Sequence, residues 1–451
     1  MRVASNSFWS NVAAVGAQLL DRRGGWPWSG SKARPARAVE KLLALAAVLL
    51  SHRGDASGMA MAARLIRDYA ALGPEERRAF FQGLDVRFGL DRKALREAWA
   101  NYEARGDAEA EIRLIRACEP ARQELLRRIN LAPGGTAAVV KMREDLLGLS
   151  DRPSNLVDQD FVHVMTSWFN PGFLTMARIA WSSPADLLER IIRYEAVHSI
   201  QGWEDLRRRV HPEDRRCYGF FHPSLPGEPL IFVEVALTDG TATSIQDVLK
   251  VDREVLCAQD ATVAVFYSIS NCQPGLRGVS FGSFLIKQVA ADLRQDLPSL
   301  KTFVTLSPAP GFAAWVEQQR AEPSSIWLDA QMRETLETQL IEGWHADEDA
   351  CATLKPILLH LAAAYFLEAK TLKGKPVDPV ARFHLGNGAR LQRLNWLGDR
   401  SPKGLAESFG LMVNYEYRLD AIEANHEAFV RRGKIAVAPG VARPLRVATP
   451  V

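Results

Sequence analysis

The chain has 451 residues, 47% hydrophobic and 24% charged, a mix that excludes a disordered or collagen-like polymer and can bury a large core without disulfides or metal clips. Its formal net charge is +3, but residues 1–39 hold six bases against the single acid Asp21, so the rest is close to neutral and lacks the basic footprint of nucleic-acid binding. The longest purely apolar run, Leu42 to Leu50, has nine residues, well short of the roughly 20 that span a bilayer, so no membrane partner is expected.

Length sets a prior of two or three domains. Residues 1–34 form a basic arm, read as a frayed terminus or as an Arg-rich, acid-poor transit peptide. Residues 35–183 read as an all-helical domain. Leu42, Leu43, Leu45, Val48 and Leu49 form a stripe at helical spacing, and Ala63, Leu65, Ile66, Tyr69 and Leu72 form a second. Pro74-Glu75-Glu76 is a helix start, with proline in the first turn and acids at the positive end of the dipole. The pattern continues over 93–104, 108–130, 136–149 and 157–169, with helical texture to about Asp186 and no fixed repeat period.

Residues 184–451 change texture. Helices are expected over Ala185–Val197 and Trp203–Val210, then strands over Tyr218–Phe221, Leu230–Leu237, Thr262–Ile269 and Thr302–Leu306. Helices are expected at Gly282–Arg294, Phe312–Arg320 and 352–369, and short strands close the chain, the clearest being Leu411–Tyr417. The fold class is therefore α+β: a helical N-terminal domain, then a mixed α/β domain. The five cysteines, Cys118, Cys217, Cys257, Cys272 and Cys351, are odd in number and form no CxxC pair. That favours a reducing compartment, cytoplasmic or the mitochondrial matrix if the arm is a transit peptide, and argues against zinc or disulfide frameworks.

Three places could carry chemistry. Between Phe266 and Lys287 a strand enters a loop with Gly275, Gly278 and Gly282 and leaves as a helix, an arrangement that aims backbone N–H groups and a positive helix end at a phosphate, with Arg277 as a charged donor. The spacing Arg-Gly-x-x-x-Gly resembles the acyl-CoA pyrophosphate loop of the N-acetyltransferase fold, Arg-Gly-x-Gly-x-Gly, with Ser280 replacing the middle glycine; the alternative is an ordinary tight turn. Ser307 stands where a strand ends and a helix begins, as a helix cap or as a hydroxyl at the ligand-binding end of the strand. His384 lies among apolar residues beside a glycine-rich turn, as a core histidine or a proton-transfer group. The other eight histidines form no H-x-x-x-H pair, and no Gly-x-Ser-x-Gly elbow occurs.

The strings EAVHSIQGWEDLRRRV, CYGFFHPSLPGEPLIFVEVALT, FYSISNCQPGLRGVSFGSFLIKQV, TLSPAPGF, FHLGNGARLQRLNW and GLMVNYEY, in that order over about residues 182–420, resemble malonyl-CoA decarboxylases. The resemblance implies an N-acetyltransferase-like catalytic domain, a carboxy-lyase activity on malonyl-CoA releasing acetyl-CoA and CO2, and no cofactor. It implies that Ser307 and His384 are catalytic, with Tyr417 and Ser268 beside them. Arg277, Gly278, Val279, Ser280, Phe281, Gly282 and Ser283 would hold the pyrophosphate and pantetheine, with Ser307 and His384 also touching substrate. It implies a homo-oligomer, a tetramer, assembled through the helical domain. The chain departs from the family's GVELG string, having Ser280 where glutamate is expected. An acyl-CoA-dependent N-acyltransferase and a non-catalytic CoA-binding regulatory protein are the alternatives.

Overall fold

The computed structural model describes residues 34–51, 54–150, 155–279 and 285–441. Residues 1–33 of the basic arm and the loop residues Ser280, Phe281, Gly282 and Ser283 lie outside them. The chain divides into two compact units: one runs to Thr175 and includes Phe221–Leu230 and Gln273–Phe281, and the other holds Met176–Phe220, Ile231–Cys272 and the chain from Gly282.

The first unit is built from α1 (Arg34–Ser51), α2 (Asp55–Ala70), α3 (Pro74–Arg87), α4 (Arg92–Arg105), α5 (Ala108–Ala117), α6 (Ala121–Asn130), α7 (Gly135–Leu147) and α8 (Asn155–Trp168). The segment expected as one helix over 108–130 is two, because Pro120 lacks the N–H that would continue the ladder and instead opens α6. Most of the two stripes points inward, Leu42, Leu43, Leu49, Leu65 and Tyr69 joining Phe80, Phe81 and Phe161 in one core, but Val48 of the first stripe is exposed, lying on the outer side of the helix. Tyr69, Phe80 and Phe81 meet edge to face with centroids 5.4–6.1 Å apart, the arrangement ring quadrupoles favour. A buried ion pair ties α6 to α8, Arg122 Nε donating to Asp160 Oδ2 at 2.6 Å. The Gly-rich segment packs on this unit. Arg143 donates to Gly275 O at 2.8 Å, and a Cβ on Gly275 would lie 2.0 Å from Val140 O, so contact with α7 by itself demands glycine there.

The second unit carries a mixed sheet. A strand falls inside the stretch read as helical, β1 (Thr175–Ile179), and β2 (Arg215–Phe221), β3 (Pro229–Thr238), β4 (Val263–Asn271), β5 (Thr302–Thr305), β6 (Ser307–Pro308), β7 (Arg390–Asn395) and β8 (Met412–Glu416) follow. Their order is β1-β2-β3-β4-β5-β8-β6, with β7 also paired to β8. The helices are α9 (Ala185–Tyr194), α10 (Trp203–Val210), α11 (Ile245–Leu249), α12 (Leu285–Asp296), α13 (Phe312–Ala321), α14 (Ala330–Gln339), α15 (Glu348–Leu367), α16 (Pro379–Gly386), α17 (Pro402–Ser408) and α18 (Ile422–Arg432). α15 is long and apolar enough by composition to cross a bilayer, yet Leu354, Leu358 and Leu361 through Phe366 are buried within the protein, as in a core helix.

One feature of the sheet positions the site. β4 and β5 are parallel and pair only from Val263/Thr302 to Phe266/Thr305. Beyond that rung β4 runs on to Asn271 beside β3, while Ser307 and Pro308 turn to pair with Val413 and Met412 of β8. The two strands part and a cleft opens between them.

Candidate active site

Ser307 is set by this parting. Its neighbour Leu306 donates its N–H to Phe266 O at 2.9 Å, the last bond holding the strands together. Thr305 and Ser307, two apart along extended chain, face the same way, and Ser307 Oγ donates to Thr305 Oγ1 at 2.9 Å. Ser307 is 5% exposed, so the strand-end reading describes its place better than a helix cap.

His384 is carried by α16. Asp378 caps this helix, accepting from Ala381 N at 2.7 Å, and Pro379 occupies the first turn. The Tyr365 hydroxyl donates to the same buried carboxylate at 3.1 Å, which ties the start of α16 to α15. At the far end Gly388 takes φ +82 against Ile422 O, where a Cβ would sit 2.2 Å away, so the turn after His384 admits glycine alone. The helix therefore holds the imidazole at a fixed depth, 3% exposed.

His384 Nε2 lies 3.1 Å from Ser307 Oγ and Nδ1 lies 2.8 Å from Tyr417 Oη. Tyr417 follows the end of β8 and is anchored by its N–H to Phe303 O at 2.8 Å. Tyr415, two residues earlier on the same face, stacks on the imidazole with centroids 4.7 Å apart and planes 24° apart. Burial lowers the His384 pKa to about 3, and burial also pushes Tyr415 and Tyr417 well above the ordinary phenol range. The ring is thus neutral at physiological pH, with its titratable neighbours neutral too.

This fixes a pH dependence. The native ring stays unprotonated while the unfolded one takes a proton below 6.5, so its contribution to stability is complete above 6.5 and lost as the pH falls toward about 3. We expect kcat to show no ionisation of His384 between about pH 5 and 8. Steady-state rates across that range check it, and a limb near 6.5 that vanishes in His384→Asn would contradict it.

The Ser307–His384 pair borders a cavity of about 250 Å³. Phe266, Ile269 and Asn271 of β4 form one wall, and Leu306 and Pro308 with Pro379, Val380 and Phe383 of α16 form another; Val197 and Ile231 complete it. Tyr267 lines it as well, and the lining is mainly apolar, with polar residues at Ser307, His384, Asn271 and Tyr267.

The other sequence candidates are placed differently. Ser268 does not line this cavity; its Oγ donates to Glu195 Oε2 at 2.7 Å, and Ser270 donates to the same oxygen at 3.2 Å. Glu195 Oε1 in turn accepts from the N–H groups of Val197 and His198 at 2.8 and 2.9 Å, so Ser268 helps to hold the turn that brings Val197 to the wall. Arg277 is exposed, Gly278 has φ +80 and Val279 is buried in the core of the first unit. Thr305, Tyr415, Asp378 and Asn271 did not emerge from the sequence reading. Asp-Pro before a helix was a legible cap signal, and the i, i+2 spacings Thr305/Ser307 and Tyr415/Tyr417 were legible as shared strand faces.

Comparison with known proteins matches residues 172–450 to the family model described as malonyl-CoA decarboxylase C-terminal domain, and residues 88–169 to the malonyl-CoA decarboxylase N-terminal domain. The chain belongs to the malonyl-CoA decarboxylase family. Within that family it is 36% identical to the mitochondrial malonyl-CoA decarboxylase of Anser anser anser, over 90% of both chains. Among solved structures it is 55% identical to malonyl-CoA decarboxylase from Rhodopseudomonas palustris, covering 89% of this chain and 98% of that one with a TM-score of 0.85. The Agrobacterium vitis malonyl-CoA decarboxylase gives 53% identity, the same coverage and the same TM-score.

Proposed function

We propose that this chain decarboxylates malonyl-CoA in the cavity beside Ser307 and His384. The chain is a carboxy-lyase of its family, converting malonyl-CoA to acetyl-CoA and CO2. The observation that carries the site assignment is the buried chain Tyr417–His384–Ser307 at the edge of an apolar cavity.

In the reaction the bond between the malonyl carboxylate and the α-carbon breaks. Its electron pair moves into the thioester to give an enolate, CO2 leaves, and the α-carbon takes a proton. One proton is consumed per turnover and is replaced from water. Apolar walls favour conversion of a charged carboxylate to neutral CO2. Donors aimed at the developing oxyanion supply the largest stabilisation, and a neutral imidazole with its hydroxyl partners supplies both donor and proton. In our reading His384 gives the proton to carbon and Ser307 binds the reacting group or exchanges protons with it. Arg277, Gly278 and Val279, with Ser280, Phe281, Gly282 and Ser283, are assigned to the CoA pyrophosphate and pantetheine; the exposed guanidinium of Arg277 and the positive φ of Gly278 support this.

Self-association, as a tetramer, is supported by apolar side chains exposed on α4 and α5: Trp99 is 52%, Ile112 50% and Ile115 63% exposed. Residence in the cytoplasm, or in the mitochondrial matrix, is supported by free cysteines among the described residues and by relatives from goose and rat that are named as mitochondrial. The purified chain mixed with malonyl-CoA and no added cofactor is expected to form acetyl-CoA and CO2 in equal amounts. Acyl transfer to an added amine without CO2, or saturable binding without turnover, would overturn the reading.

A further inference from the structure

Thr305 does not touch the imidazole, yet it is hydrogen-bonded to two of the residues that do, Ser307 and Tyr415. It is 0% exposed, and its Oγ1 accepts from Ser307 Oγ at 2.9 Å and from the Tyr415 N–H at 3.1 Å. A serine hydroxyl has a single proton to give. With that proton directed at Thr305, Ser307 meets His384 only as an acceptor, so Nε2 must carry hydrogen. A neutral imidazole has one N–H, which leaves Nδ1 to accept from the Tyr417 hydroxyl. The three bonds then run one way: Tyr417 O–H to Nδ1, Nε2–H to Ser307, and Ser307 O–H to Thr305.

We infer that Thr305 is a positioning residue that fixes the tautomer of His384, holding Nε2–H toward the cavity edge while its bond to the Tyr415 backbone keeps that ring seated on the imidazole. The inference rests on the proposed site. It has a chemical consequence: in this order His384 cannot take the Ser307 proton, so the serine is not activated as a nucleophile. When the Nε2 proton is given up, the hydroxyl of Tyr417 stands at Nδ1 to refill the ring.

Thr305→Val keeps the shape and removes the acceptor. Its kcat is expected to fall at least about tenfold, with KM for malonyl-CoA within roughly twofold of the parent, and Thr305→Ser is expected to restore most of the rate. The direct readout needs no turnover. With 15N-labelled histidine, and His384→Asn to assign the signal, the parent should show Nε2–H for His384 and Thr305→Val should show a shift toward Nδ1–H. If Thr305→Val does not fold, Thr305→Cys, whose sulfur is a weak acceptor, carries the same test. Retention of the Nε2–H tautomer and of kcat within about twofold, or a Thr305→Ser variant no better than Thr305→Val, would overturn the inference. Failure of the site itself would appear separately, as an active His384→Asn enzyme.

Discussion

Replacing His384 with asparagine is expected to lower the rate of acetyl-CoA formation at least about a hundredfold while KM for malonyl-CoA changes little, since a proton donor held in place contributes roughly 10²–10⁴-fold. Asparagine retains a polar side chain but has no ring nitrogen to join Ser307 to Tyr417, and the stack on Tyr415 is lost. The buried Tyr417 hydroxyl is left without its partner, at a cost of about 1–3 kcal/mol in stability. A melting curve is therefore run beside the steady-state assay. A folded His384→Asn protein with parental kcat would remove the histidine from the mechanism.

The second large effect is expected for Ser307→Ala. Alanine leaves His384 Nε2 and Thr305 Oγ1 without the hydroxyl between them, so the imidazole loses the contact that holds it in place, and misplacing a catalytic group costs on the order of 10² in kcat. Because the Ser307 proton is directed at Thr305, the loss should appear in kcat without any acyl-enzyme having formed in the parent. Rapid-quench measurement of the first turnover checks both points. A burst of free CoA ahead of acetyl-CoA formation in the parent would mark Ser307 as a nucleophile, and near-parental turnover of Ser307→Ala would exclude it from the chemistry.

Much of the fold could be read along the chain, and the errors have local causes. Trp203–Val210 appears with the expected bounds, and Thr302–Leu306 and Phe312–Arg320 appear within a residue of them. In each case apolar periodicity and its flanking breakers agree. The 108–130 segment was read as continuous because its helix formers outweigh a single Pro120 in any periodic count. β1 was missed because its residues are mostly exposed and show no alternation between faces. α16 escaped notice because eight residues around Asp378-Pro379 give too short a stripe, although the cap itself was legible.

For the site, composition and local order determined which side chains exist to do the work: a hydroxyl at a strand end, a histidine before a Gly-Asn-Gly turn and a tyrosine pair at i, i+2. Their meeting was decided only by tertiary structure. Ser307 and His384 are 77 residues apart, and His384 and Tyr417 are 33 apart. They converge because β4 and β5 separate after one shared stretch, because β8 pairs with both β5 and β6, and because a capped helix lays the imidazole across the opening. The charge state of His384 was decided the same way. A pKa falls through desolvation, a property of everything packed around the ring and of no neighbour in the chain.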